Sequence, residues 1–361
     1  MNISITRSQL FFTIIKTQIG IGLLSLPSET QSSAKGDAWI SVLVAGCLIQ
    51  LLLLIYWALF RRFPNDTLRQ MIMRMFGSYL GKGLNLIYYA FFIMIAGYAC
   101  TLYVRLIQDW MLPLTPTWVL LLFIIATGMY LAVENLRVIA RFFVLSSVMF
   151  IILLLLSLLT FSNEIHISNI MPVGHSGAGQ ILHGVRQTFF SMLGFEVILV
   201  FFSQVDGRPR GLLRISSFSN IMVTLFYAYF VFICLINFNS KALEQVNEPV
   251  LFLFKGFTNQ LFDGLDLIFL TIWIIPMTAT IISYLSMAGY SLAASQSTYR
   301  VIVRISGILV YIIGLYLTTV ENLDPFSTWL ESGYLLMIAV IPLLMWLMSF
   351  VIKNSGNRGA A

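Results

Sequence analysis

Lys16-Thr17-Gln18-Ile19-Gly20-Ile21-Gly22-Leu23-Leu24-Ser25-Leu26-Pro27 lies deep in the first apolar run of the chain and holds what a spanning helix ordinarily avoids. Two glycines one residue apart each weaken a helix by about 1 kcal/mol relative to alanine. A lysine at a helix centre in lipid costs at least about 2.5 kcal/mol. Small residues let helices pack closely, and they also let a helix break; taken alone, the pair leaves both readings open.

A second stretch decides between them. Thr188-Phe189-Phe190-Ser191-Met192-Leu193-Gly194-Phe195-Glu196-Val197 interrupts another apolar run with a glycine and a carboxylate at about the same depth. Between the two lie four further runs, so the interruptions hold matching positions in two five-span halves. An odd number of spans per half gives the halves opposite topology. Paired broken helices in inverted repeats point to a binding site near the bilayer midplane. At such a break the free N–H groups and the helix dipole suit a carboxylate, and the free carbonyls suit an ammonium. Together they suit the head group of an amino acid.

The rest of the chain supplies the membrane frame. Of 361 residues, 59% are hydrophobic and 10% charged, against roughly 25% charged in a soluble domain. Spanning helices need about 20 apolar residues, and backbone in lipid must satisfy its own hydrogen bonds. The runs predict an all-α integral membrane protein with ten spans: 9–28, 38–60, 84–108, 117–134, 138–161, 181–203, 217–238, 264–290, 300–320 and 330–352. They form one permease-like domain over 1–361, with a first repeat at about 9–161 and a second at about 181–352. Spans one and six are the broken ones. Pro276 and Pro342 fall inside spans eight and ten, where a proline frees carbonyls and kinks the helix.

Orientation follows the positive-inside rule. With the N-terminus inside, the outer connections hold only Lys35, Arg105, Arg186, Lys241 and Lys255 of the 21 Lys and Arg, and Lys16 is within a span. The remainder, including Arg7, Arg61, Arg62, Arg208, Lys353 and Arg358, lie inside, so both termini are expected in the cytoplasm. Acidic residues such as Glu29, Asp37, Glu164, Asp263, Asp324 and Glu331 fall outside. The net charge of +6 thus follows topology and gives no reason to expect a nucleic-acid partner.

Lys16 and Glu196 are the charges with no place outside the bilayer. They serve a site, as an ion or charge relay, or pair structurally with each other; Lys16 can also snorkel. Thr280 and Tyr284 lie i, i+4 on one face of span eight, as pocket hydroxyls or as core hydrogen-bond donors. Cys47, Cys100 and Cys234 read as buried hydrophobes without a disulfide framework. The three histidines lack zinc spacing, Gly174–Gly179 is not a phosphate loop, and neither a metal site nor a cofactor is expected. No nucleophile–base pair is present, so an enzyme is not expected.

The stretch Gln18–Pro27, Leu193-Gly194-Phe195-Glu196-Val197, and Trp273-Ile274-Ile275 running to Thr280 and Tyr284 resemble the B subunits of spore germinant receptors. These are permease-like members of the amino acid–polyamine–organocation transporter superfamily. The resemblance covers essentially the whole chain and implies a LeuT-like fold. It places a small-molecule nutrient, an amino acid or similar, between spans one, three, six and eight. Gly20 and Gly22, with Ile19 beside them, would hold its head group. Leu193, Gly194 and Glu196 would line the span-six break, Thr280 and Tyr284 the far wall, and Ile95 would touch the ligand side chain. Pro276 departs from the family pattern. The resemblance further implies a role in triggering germination from the spore inner membrane. Its implied partners are a membrane subunit with soluble domains and a lipoprotein. The alternative is a self-sufficient, proton-coupled amino-acid transporter.

The charge pattern carries a direct test. Single cysteines placed in 61–83 and in 204–216 should escape a membrane-impermeant thiol reagent added to sealed cells, and labelling of either segment would reverse the orientation.

Overall fold

The computed structural model describes residues 4–162, 165–207, 209–256, 264–321 and 323–351. Glu164, Arg208, Asp263, Lys353 and Arg358, which entered the charge balance, lie outside the described residues. Among the described residues the helices form ten crossings. The first is split into α1 (Arg7–Gln18) and α2 (Gly22–Ala34), and it is followed by α3 (Ala38–Arg62), α4 (Leu68–Trp110) and α5 (Thr117–Ala132). The fifth is α6 (Leu136–Ser146) with α7 (Val148–Leu158), and the sixth is split into α8 (Gly177–Ser191) and α9 (Val197–Phe201). Then come α10 (Pro209–Asn237), two short helices α11 (Ser240–Gln245) and α12 (Pro249–Lys255), α13 (Leu265–Leu292) and α14 (Gln296–Thr318). The tenth joins α15 (Asp324–Tyr334), a π-helical turn (Leu335–Val340) and α16 (Ile341–Met348).

Seven of these crossings are long and apolar enough to span by length and composition alone. The other three are the two broken spans and Thr117–Ala132, which is 16 residues long. Each five-span half opens on a broken crossing and the halves run in opposite senses.

Four expected boundaries move by six residues or more; span seven begins at Pro209 rather than 217, and span ten at Asp324 rather than 330. The first span continues through Pro27 to Ala34. The third begins not at 84 but at Leu68, as a short helix capped by Thr67 and Gln70, and then turns at Gly77. There φ is +77°, a conformation that glycine adopts without a Cβ penalty.

The half-bundles close through α13, buried on every side from Pro276 to Ser291 and packed on α4, α5, α14 and α1. Hydroxyls inside so dry a helix need acceptors. Thr278, Thr280, Ser286 and Ser291 donate to carbonyls four residues back. Small residues set the spacing: a Cβ on Gly97 would sit 2.5 Å from Ile313, and one on Gly46 2.3 Å from Thr224.

Pro342 acts on span ten as proline does in any helix, by withholding a donor. Ile341 N–H already reaches back five residues to Leu336, so in that register the missing N–H of Pro342 leaves the Met337 carbonyl bare. Tyr88 of α4 donates to it at 2.7 Å, and Tyr56 of α3 donates to the next carbonyl, Ile338, at 2.5 Å. The break that the proline makes is thus mended by two tyrosines from the first half.

At the opposite end of span one the chain is strapped down. Ile5 N–H donates to the Gln204 carbonyl and Asp206 N–H to the Ile5 carbonyl, at 2.8 and 2.9 Å. The Arg7 guanidinium lies so close over Gly207 and Gly211 that a Cβ on either would meet it at 2.3 Å.

Tyr88→Phe should lower the thermal stability of the detergent-solubilised protein by the equivalent of about 1–3 kcal/mol, the cost of a buried acceptor left unpaired. Adding Pro342→Ala, which restores a donor, should recover part of that loss. Additive losses in the double variant would refute the account of the proline.

Candidate functional site

The two breaks meet and complete each other. α1 ends at Gln18, Ile19 turns extended at ψ 96°, and α2 restarts at Gly22. α8 ends at Ser191, Gly194 takes φ +119°, and α9 restarts at Val197. A Cβ on Gly194 would stand 2.5 Å from the Thr17 carbonyl and 2.6 Å from Gln18 N; one on Gly22 would stand 2.9 Å from Ser191 backbone. Each glycine therefore admits the broken end of the other span. Gly20 is less confined: its Cβ would meet the Thr280 hydroxyl at 3.2 Å.

Side chains serve the backbone groups that the breaks release. Gln18 Nε2 donates to the Met192 carbonyl at 3.2 Å. The Tyr227 hydroxyl of α10 lies 2.9 Å from the Gln18 carbonyl and 3.2 Å from the Ser191 carbonyl, and the Gly20 N–H faces its oxygen. The Thr17 hydroxyl is 2.7 Å from that of Ser283 on α13. Among the described residues, the N–H groups of Ile21 and Gly22 have no acceptor, and neither does Gln18 Oε1, on a side chain 1% exposed.

Above these groups opens a cavity of about 340 Å³. Gln18, Gly20, Ile21 and Gly22 line it from span one, Ile95, Tyr98, Ala99 and Leu102 from α4, Phe190, Ser191 and Leu193 from span six, and Thr280 and Tyr284 from α13. Glu29, Asp324 and Glu331 also line it. Six of the sequence-predicted residues thus line one cavity: Gly20, Gly22, Ile95, Leu193, Thr280 and Tyr284.

Four others stand elsewhere. Ile19 faces away, into a membrane-side groove beside Phe12, Ile15 and Phe150. Gly194 forms the junction with span one and does not line the cavity. Glu196 lies behind the wall, fully buried; it accepts from Gly194 N–H at 2.8 Å, Tyr284 hydroxyl at 2.7 Å and Tyr334 hydroxyl at 3.2 Å. Lys16 does not pair with it. The Lys16 ammonium donates to the Ser146 carbonyl at 2.9 Å and sits 4.1 Å over the Phe150 ring. Phe150 N–H turns to Ser147 instead, which frees that carbonyl at the α6–α7 irregularity, so Lys16 repairs a flaw in span five. No ion pair joins Lys16 to Glu196 among the described residues.

Sequence reasoning missed Gln18, Tyr98, Phe190 and Tyr227, and placed Glu29 in an outer connection. Gln18 and Tyr227 carried a signal, since a polar side chain within an apolar span needs a partner; Phe190 had none that sets it apart from its apolar neighbours.

Comparison with known proteins agrees with this geometry. The chain is 21% identical to spore germination protein GerQB of Bacillus cereus over 352 residues, covering 95% of each chain. It is 24% identical to spore germination protein YndE of Bacillus subtilis (strain 168) over 295 residues, covering 81% of this chain and 80% of that one. Among solved structures it resembles MhsT in complex with L-phenylalanine, with TM-score 0.65, 12% identity and coverage of 97% and 99%. It also resembles a Na+-coupled sialic acid symporter, with TM-score 0.66, 12% identity and coverage of 93% and 79%. Both likenesses bear on the fold, which is the LeuT-like arrangement of two inverted five-helix repeats. The spore germination protein family model matches residues 4–322, and the chain, an integral membrane protein of permease-like fold, belongs to that family.

Proposed function

We propose that the chain is the germinant-sensing subunit of a spore nutrient receptor, binding an amino acid or similar small nutrient in the cavity between its broken spans. The observation that carries this reading is the pairing of unserved donors with an unserved acceptor on one wall. Ile21 and Gly22 N–H, at the N-terminus of α2, offer a carboxylate two donors and the positive end of a helix dipole. Gln18 Oε1, held with its amide nitrogen turned to Met192, offers an α-ammonium an acceptor. Thr280 and Tyr284 close the far side, and Ile95 and Leu193 flank the ligand's apolar part. Gly194 and Glu196 act on this site through the backbone junction and through Tyr284, not by touching the nutrient.

The relatives' names support the assignment to spore germination. The site would sit in the spore inner membrane, with both termini cytoplasmic, in one permease-like domain whose repeats run at about 9–161 and 181–352. Its partners would be a membrane subunit with soluble domains and a lipoprotein. A second reading, a self-sufficient amino-acid transporter, draws support from the likeness to a symporter. Uptake of radiolabelled amino acids into proteoliposomes holding this chain alone would favour it.

The glycines separate ligand binding from packing. Gly20→Ala should raise the half-maximal nutrient concentration for spore germination with normal protein levels on immunoblots. Gly22→Ala should instead reduce the protein itself, because its Cβ would have to displace the backbone and Cβ of Ser191. A normal midpoint in Gly20→Ala spores would remove Gly20 from the site.

Thr280→Val removes one hydroxyl from the cavity wall. Losing one neutral hydrogen bond costs about 0.5–1.5 kcal/mol, so the midpoint should rise roughly two- to tenfold. An unchanged midpoint with reduced protein would assign Thr280 to its bond with the Pro276 carbonyl alone.

A further inference from the structure

The charge inside the cavity has one sign. Among the described residues that line it, Glu29, Asp324 and Glu331 are acidic, and no lysine or arginine lines it. Arg186 reaches Glu331 from the side at 3.4 Å, and Glu29, near Glu331, is the carboxylate carried on α2, the helix that starts at the break. Gly22, Ser25 and Glu29 occupy one face of that helix, at i, i+3 and i+7, and all three line the cavity. Glu29 is exposed, but into this recess, where the hydroxyls of Ser25 and Ser191 face its carboxylate.

Seven residues of helix rise about 10 Å. Helical side chains lean toward the N-terminus, which brings the Glu29 carboxylate to roughly 6–8 Å from the break. The face of α4 that lines the cavity carries Ile95, Tyr98, Ala99 and Leu102 at i, i+3, i+4 and i+7, apolar but for the Tyr98 hydroxyl. An α-amino acid anchored at Ile21, Gly22 and Gln18 would point its side chain along this wall, methylenes against α4 and its end beside Glu29.

We infer that the nutrient bound here is a cationic α-amino acid, of the lysine or arginine kind, whose side-chain charge is taken by Glu29. This rests on the amino-acid reading of the cavity and narrows it. A neutral amino acid would satisfy the break but leave the Glu29 carboxylate facing an apolar stem. An acidic one would set like charges together. A long stem with a terminal cation covers the apolar wall and carries its charge to the carboxylate, as lysine and arginine side chains do on protein surfaces.

Equilibrium binding to the purified full chain in nanodiscs tests this with L-lysine, Nε-acetyl-L-lysine and L-norleucine, which share a stem and differ in its end. L-lysine should bind at least about tenfold more tightly than either neutral analogue, or ~1.4 kcal/mol. Glu29→Gln should shrink that preference to within about threefold while norleucine binding and the melting temperature hold. Norleucine binding as well as lysine to the unmutated chain would overturn the inference and leave the amino-acid site standing. Binding of none of the three by a cooperatively folding protein would overturn both. The analogue comparison needs no variant, so it decides the matter even if Glu29→Gln fails to fold.

Discussion

In a bilayer no water waits to take up a backbone group that a helix releases, so a broken helix exists only where something else has taken its place. Spans one and six are both broken, and each supplies what the other lacks. Gly194 lets span six lie against the Thr17–Gln18 peptide, Gly22 lets span one lie against Ser191, and the Gln18 amide binds the Met192 carbonyl. Tyr227 serves groups from both. Among the described residues this mutual repair leaves two N–H groups and one amide oxygen unserved beside the cavity, and on the proposed reading these are what a ligand would meet.

Glu196 extends the same logic outward. Its carboxylate binds the strained glycine turn, a tyrosine of the cavity wall and a tyrosine at the end of α15. Three crossings thus converge on one buried charge supplied with three donors, the condition under which a buried carboxylate is tolerable. Tyr334 packs on Phe91, Phe189 and Phe195, so the wall at Tyr284 and the body of span ten are mechanically joined. Span ten in turn leans on Tyr56 and Tyr88 of the first half.

Much of this was legible in the residue order. Apolar run lengths located the ten crossings to within a few residues, except where an amphipathic helix preceded span three, where a proline failed to end span one, and where polar first turns start spans seven and ten ahead of their apolar runs. The glycine pair and the Gly-Phe-Glu stretch marked the breaks, because a glycine in a spanning helix must earn its place. Thr280 and Tyr284 followed from a helical period. Direction did not follow. Ile19 and Gly20 are neighbours, yet Gly20 lines the cavity and Ile19 is buried against a separate apolar groove, since an extended residue between two half-helices obeys no helical period. Nor could sequence tell that Lys16 and Glu196 stand apart, because each satisfies itself on backbone groups exposed by irregularities that only the folded chain contains. Glu29 was placed by hydropathy at a span end, and whether such a residue faces bulk water or a recess depends on which helices stand opposite.

α1 ties the floor of the cavity to the far face of the protein. Thr17 and Gln18 at one end hold Ser283, Met192 and Tyr227; at the other, Ile5 and Arg7 hold the chain that follows α9. Twelve residues of helix form a rod of about 18 Å, too short and too well packed to absorb a displacement by bending. A shift at its upper end has to reappear at the lower one, which is held by two backbone hydrogen bonds, the Arg7 guanidinium resting on glycines and a bond from Arg137 to the Ser4 carbonyl. On the proposed sensing role, such a lever would make occupancy of the cavity readable on the other side of the membrane without anything having crossed it.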